Sequence, residues 1–264
     1  MPNKNFIKLA KRQMNKEAPA ERIQPTTPIS QSSHLINNAS YSFLEGDLGR
    51  QVLEEYNQIA SKDYQGASAL NVLSFGDNVV KGSNPFAFVL LNKILAQQKM
   101  RIASPADLER CLEKGELDLR GTYGDSGLVL RDSGNPNEYL LNNLATQINI
   151  LETPVMIPLT GLGLKYDSNS PHDLVFQSTD FSEIIYAPQL NKTNHGKKFD
   201  SGDKQGLPIF KDNGSRTLYS NKDVGLYRLF RDWGLVLNAR DDDLAYSNSD
   251  GRVTFAPQGQ VSKK

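Results

Sequence analysis

Apolar residues change their spacing near the middle of this chain, and that change limits the folds open to it. Between residues 46 and 148 they recur every three or four positions, in four groups. The first is Leu48, Val52, Leu53, Tyr56, Ile59 and Ala60; the second runs from Phe86 to Leu95. Leu108, Cys111 and Leu112 form the third, and Tyr139, Leu140, Leu141, Leu144 and Ile148 the fourth. This is the period of a half-buried helix. After Thr153 it gives way to the strand-like runs Val155–Lys165, Leu174–Ser178, Ile184–Leu190 and Thr217–Tyr219. The expected fold is therefore α+β, with a mainly helical part over 41–150 and an antiparallel, β-rich part over 151–264, in one domain or two.

Punctuation residues sharpen the helices. Asn84-Pro85 supplies a capping side chain, then a proline whose missing N–H is harmless in the first turn. Ser104-Pro105 opens the third helix and Gly115 suits its left-handed stop. Asn135-Pro136-Asn137 marks the start of the fourth. Between the third and fourth, Leu117–Tyr123 and Leu128–Arg131 flank Gly124-Asp125-Ser126-Gly127, which reads as a hairpin over 117–131.

Residues 1–40 have no such pattern. Up to Arg22 they carry six basic residues against two acidic ones, and Gln24–Ser33 is rich in Pro, Thr and Ser, so a disordered basic tail is expected. Over the whole chain 30 Lys and Arg balance 30 Asp and Glu, so no global field draws it to nucleic acid or an anionic membrane. The longest apolar run, Phe86–Leu91, is far short of the ~20 residues of a membrane span. The start has no apolar signal core, so the expected location is cytoplasmic. The single cysteine, Cys111, excludes an internal disulfide and reads as core.

One regularity is internal. Aspartates stand at 223, 232, 241 and 250, a constant spacing of nine, and Leu226, Leu235, Leu244 and Val253 each follow three residues later. In period this resembles the calcium-binding β-roll, which implies ion-cradling turns. The paired glycines of that family are absent, and Arg231 and Arg240 sit beside two of the aspartates and oppose a cation. Strand-turn segments, as a meander or a small solenoid, are the expected outcome.

Chemical motifs are sparse. Gly124-Asp125-Ser126-Gly127 matches part of a serine-protease nucleophile segment, but neither the following residues nor the one upstream histidine, His34, continues the match. Three histidines and one cysteine offer no metal-ligand spacing, and there is no phosphate loop, so no metal and no cofactor is expected. The weak catalytic candidates are Asp241, Asp243, Asp173 and His172, the groups a carboxylate-based hydrolase or transferase would need. Tyr227, Arg228, Arg231, Trp233 and Arg240, with Arg216, Tyr219 and Phe230, form the densest basic-aromatic region, a composition that can bind a partner or stack single-stranded nucleic acid. The leading expectation is a non-catalytic binding or scaffolding protein with a protein partner, using the β-rich part. A carboxylate enzyme and a single-stranded nucleic-acid-binding protein are the alternatives, and no membrane role is expected.

Overall fold

The computed structural model describes residues 41–233 and 236–258. The expected basic tail and Leu235 of the nine-residue pattern lie outside them. Four α-helices occur among the described residues: α1 (Gly46–Asp63), α2 (Pro85–Gln97), α3 (Pro105–Lys114) and α4 (Glu138–Ala145). Their ends follow local chemistry. The Asn84 side chain accepts from the Ala87 N–H at 2.8 Å. Ser104 and Asp107 cap α3 reciprocally, and Gly115 ends it at φ +64°. Each such cap contributes about 1 kcal/mol.

Fifteen strands accompany them. β1 (Ser42–Phe43), β4 (Met100–Ile102) and β15 (Thr254–Pro257) form a small sheet in the order β1-β15-β4. β2 (Ser74–Gly76) pairs with β3 (Val79–Lys81), and β7 (Leu162–Tyr166) pairs with β8 (Leu174–Ser178). The main sheet contains β5 (Tyr123–Leu130), β6 (Val155–Pro158), β9 (Ile185–Tyr186), β10 (Lys198–Gly202), β11 (Pro208–Phe210), β12 (Arg216–Tyr219), β13 (Leu226–Asp232) and β14 (Val236–Asp241). Their order is β11-β10-β12-β14-β13-β5-β6-β9. Both parts of the chain share these sheets: β5 lies between β13 and β6, and Phe255 of β15 pairs with Ser42 and with Ile102.

Alternation along the central strands divides two cores. Leu128, Leu130, Val155, Ile157 and Leu226 face a large core shared with α1, α2 and α4. Val129, Met156, Tyr227 and Leu229 face a second core completed by Phe199, Leu218 and Leu237 of the same sheet, which curls around it. A strand covered on both faces is apolar throughout rather than alternating.

Three expectations change. The hairpin over 117–131 is not formed, because β5 runs straight through Gly124-Asp125-Ser126-Gly127. Gly127 lets the neighbours close in: a Cβ there would stand 3.2 Å from the Ile157 carbonyl. The pairing steps from Leu229↔Gly127 to Phe230↔Asp125, so Ser126 is the extra residue of a β-bulge. The sheet is also not wholly antiparallel, since β12 and β14 pair in parallel. Finally, the nine-residue segments take unlike backbones. Asp223 precedes β13, Asp232 ends β13 and Asp241 ends β14, whereas residues 242–250 hold no strand and β15 joins a different sheet. Leu226, Leu244 and Val253 nevertheless all reach the large core. No helix among the described residues is long and apolar enough to cross a membrane.

Candidate functional site

Burial decides what the basic-aromatic residues can do. Tyr227, Arg228, Arg231, Arg216 and Phe230 are buried, and of the expected recognition face Trp233, 57% exposed, and the half-buried Arg240 and Tyr219 reach solvent. Arg240 lies over the Tyr219 ring at 4.6 Å. Arginine is normally a surface residue, so its burial here departs from what composition suggests. The apolar residues of both parities around it, Leu226, Tyr227, Leu229 and Phe230, were the signal that this strand is covered on both sides.

On the large-core face Arg228 meets Asp125 in a two-pronged pair, Nε donating at 2.8 Å and Nη2 at 2.5 Å. Nη2 also donates to the Ser83 carbonyl at 3.1 Å, and Nη1 donates to the Tyr246 carbonyl at 3.0 Å. Ser83 Oγ donates to Asp125 at 2.6 Å and accepts from the Asp125 amide at 2.9 Å. Burial would lower the Arg228 pKa, but the Asp125 carboxylate outweighs it and holds the guanidinium firmly charged. This network joins β5, β13, the start of α2 and the 241–246 turn, and its donors are spent on protein acceptors. Ser126, the protease-like serine, is buried and donates to the Leu229 carbonyl at 3.3 Å, so the nucleophile reading has no support.

On the opposite face two arginines share one acid. Arg216 Nη1 lies 2.9 Å from Glu109 Oε2, Arg231 Nη2 contacts Glu109 Oε1, and all three side chains are buried. Both guanidinium groups stack on Phe199, at 4.7 and 5.4 Å from its ring centre. Burial pushes the Arg231 pKa down to about 9 and lowers that of Arg216. A fourth buried arginine, Arg131, donates to the Lys222, Leu190 and Ala239 carbonyls and to Ser220 Oγ, and burial lowers its pKa to about 10. It clamps backbone from three segments.

The carboxylate candidates divide differently. Asp243 and Asp173 both lie near enough to His172 for their charges to oppose burial, which lowers the histidine's pKa. His172 and Asp243, 71 positions apart in sequence, thus lie within electrostatic reach of each other. Asp243 Oδ1, however, accepts the backbone N–H groups of Ala245 and Tyr246, and Asp241 Oδ1 accepts that of Asp243, which is the work of turn-forming aspartates. Burial raises the Asp241 pKa, and Arg228 opposes the rise. Among the described residues no group of three His, Cys, Asp or Glu side chains is arranged to hold a metal ion.

Among the described residues the most exposed large apolar side chain, Phe181, lies beside the end strand β9. A cleft of about 290 Å³ is lined by Arg101, Ser104, Thr160, Phe181, Glu183 and Lys204 among others. Its rim is a fixed turn. Thr179 Oγ1 and Ser182 Oγ both donate to the Gly161 carbonyl, at 2.6 and 2.7 Å. A Cβ on Gly161 would stand 2.4 Å from the Phe181 carbonyl, so only glycine lets the turn seat. The turn holds Phe181 outward, 82% exposed, and Tyr186 of β9 follows at 51%. Among the described residues β9 pairs with β6 alone. The polar residues Asp180, Ser182 and Glu183 that alternate with the apolar ones hid this surface in the sequence.

No protein-family model, curated protein or solved structure matches the chain.

Proposed function

We propose that this chain is a non-catalytic binding protein whose recognition surface is the cleft beside β9, and that its partner is an extended segment of another protein. The observation that carries the reading is Phe181, a solvent-facing aromatic on a turn fastened by two side-chain hydrogen bonds to the Gly161 carbonyl. An aromatic held rigidly before binding loses little conformational entropy on contact, which is why such residues dominate interfaces. The edge of β9 offers backbone groups to an added strand, and the cleft takes an apolar side chain from it. The wall carries Arg101 and Lys204 but also Glu183, and Arg101 is already paired with Asp107, so shape and the apolar anchor rather than net charge select the partner. With Arg228 and Arg231 inside, the basic-aromatic region presents Arg240, Tyr219 and Trp233 to solvent for a single-stranded nucleic acid.

The test uses the full chain and its Phe181→Ser/Tyr186→Ser double variant as equal baits in nuclease-treated native lysate. Both side chains are exposed, so the unfolding midpoints should agree. The wild type should capture a protein in near-stoichiometric amount and the variant at least about tenfold less. Equal capture by both baits, or capture by neither, removes the reading.

A second reading, a carboxylate-based hydrolase or transferase, has the grouping of His172 with Asp173 and Asp243 in its favour. It requires hydrolysis of an ester or phosphoester panel that is lost in His172→Gln/Asp243→Asn. Turnover unchanged by that pair of substitutions would end it.

A further inference from the structure

Three groups meet on the Asp107 carboxylate, and two of them belong to the cleft beside β9. Arg101 Nη2 donates to Asp107 Oδ1 at 3.0 Å and Ser104 Oγ donates to Oδ2 at 2.6 Å, and both residues line the cleft. The third is Tyr41, the first described residue. Its hydroxyl donates to Oδ1 at 3.1 Å and accepts from Arg110 Nε at 3.2 Å. The strand register agrees: Ser42 of β1 stands opposite Phe255, which stands opposite Ile102 of β4, so Tyr41 enters two strand spacings, roughly 10 Å, from Arg101. The 40 residues that precede Tyr41 therefore join the fold beside the cleft.

The near end of that segment has the chemistry of an added strand. Residues 29–41 contain no proline, so every N–H is able to pair with a sheet edge, whereas Pro25 and Pro28 stand just before. They also contain no Lys, Arg, Asp or Glu. The cleft wall is of mixed sign, with Arg101, Lys204 and Glu183, so an uncharged segment meets no like-charge penalty there. Leu35-Ile36 is the apolar pair of this stretch and has polar residues on both sides. Six residues of extended chain span about 20 Å, enough to carry Leu35 from Tyr41 into a cleft whose wall starts roughly 10 Å away.

We propose that residues 33–37, Ser-His-Leu-Ile-Asn, are the cleft's resident occupant: they lie along the β9 edge with the Leu35-Ile36 pair against Phe181, and an outside segment must displace them. The proposal rests on the binding reading above and adds its regulation. So short a tether holds the segment at an effective concentration on the order of 1 mM, and a contact with an intrinsic dissociation constant of only ~0.1 mM then fills the cleft about nine-tenths of the time. An outside partner binds about tenfold more weakly than it would to an empty cleft.

The experiment is amide hydrogen exchange of the full chain, compared with its Leu35→Ser/Ile36→Ser and Phe181→Ser/Tyr186→Ser variants. The free-edge amides within residues 183–187 should exchange about tenfold faster in Leu35→Ser/Ile36→Ser than in the wild type, and the amides of residues 33–37 should lose the same protection in Phe181→Ser/Tyr186→Ser. Exchange in α2, which is buried in the large core, should be alike in all three and reports intact folding. Equal exchange at residues 183–187 in the wild type and Leu35→Ser/Ile36→Ser overturns the proposal, as does protection of residues 33–37 that survives Phe181→Ser/Tyr186→Ser. Lysate capture separates this from the binding reading. If exchange is equal yet Phe181→Ser/Tyr186→Ser still loses a captured protein, the cleft binds a partner but has no resident segment. If exchange changes yet none of the three baits captures a protein, the segment keeps its seat and the outside partner falls.

Discussion

Arg228 and Arg231 stand three residues apart on β13, face opposite cores, and are buried on opposite terms. Arg228 has a carboxylate of its own and carbonyl or carboxylate acceptors around its guanidinium. Arg231 shares Glu109 with Arg216 and keeps a donor without an acceptor. Desolvation penalises both equally in kind; what differs is how completely the surroundings repay it. The contrast teaches that a buried charge cannot be read as stabilising from burial alone. The first cluster organises the fold around a matched pair, whereas the second gathers two guanidinium groups on a single carboxylate.

Substitutions can break this contrast. Glu109→Gln should have the largest effect, toward the upper end of ~3–5 kcal/mol, because it strands two buried guanidinium groups at once. Arg228→Met should follow near the lower end of that range, since Asp125 loses its cation but keeps the Ser83 hydroxyl. Arg231→Met should cost about 1 kcal/mol or less, because Glu109 retains Arg216. Urea midpoints at constant m-value would read all three. If Arg231→Met proved as damaging as Arg228→Met, the two clusters would not differ in kind.

The same contrast explains what was legible in the sequence. Helix ends could be read because their causes are local: Asn84 meets Ala87 and Ser104 meets Asp107, three residues away. Gly124-Asp125-Ser126-Gly127 misled because its polar residues are satisfied by residues far off, Asp125 by Arg228 and Ser126 by Leu229, each 103 positions on. Without those partners, four small polar residues look like a turn. Equal spacing along the sequence did not dictate equal backbone: Leu226, Leu244 and Val253 share one large core but stand in a strand, a turn and a connecting segment. Phe181 was illegible for a different reason: nothing in the sequence says that the 179–182 turn rests on Gly161.

The smallest effect tests whether the Arg228 cluster is insulated from titration nearby. The 243–246 turn that offers its carbonyls to Arg228 also carries the Asp243 carboxylate whose charge acts on His172. Burial against Phe86, whose ring lies 5.3 Å away, lowers the His172 pKa, and the two aspartates only partly oppose it. The unfolded value is about 6.5. A base whose folded pKa lies below its unfolded one favours the native state most above that unfolded value. Stability should therefore be complete above about pH 6.5, fall as the pH drops through the lower folded pKa, and level off below it. The loss should stay well under the ~1.4 kcal/mol of a full pKa unit, because the ring is half exposed and solvent screens it. His172→Gln should flatten this step in urea midpoints measured between pH 7.5 and 5, while Arg231→Met should leave it intact. A step that survived His172→Gln would place the titrating group elsewhere, with the raised carboxyl of Asp241, 3.9 Å from Arg228, the first to examine. In that event Arg228's surroundings would themselves respond to pH, and the line between a matched and an unmatched arginine would have to be redrawn.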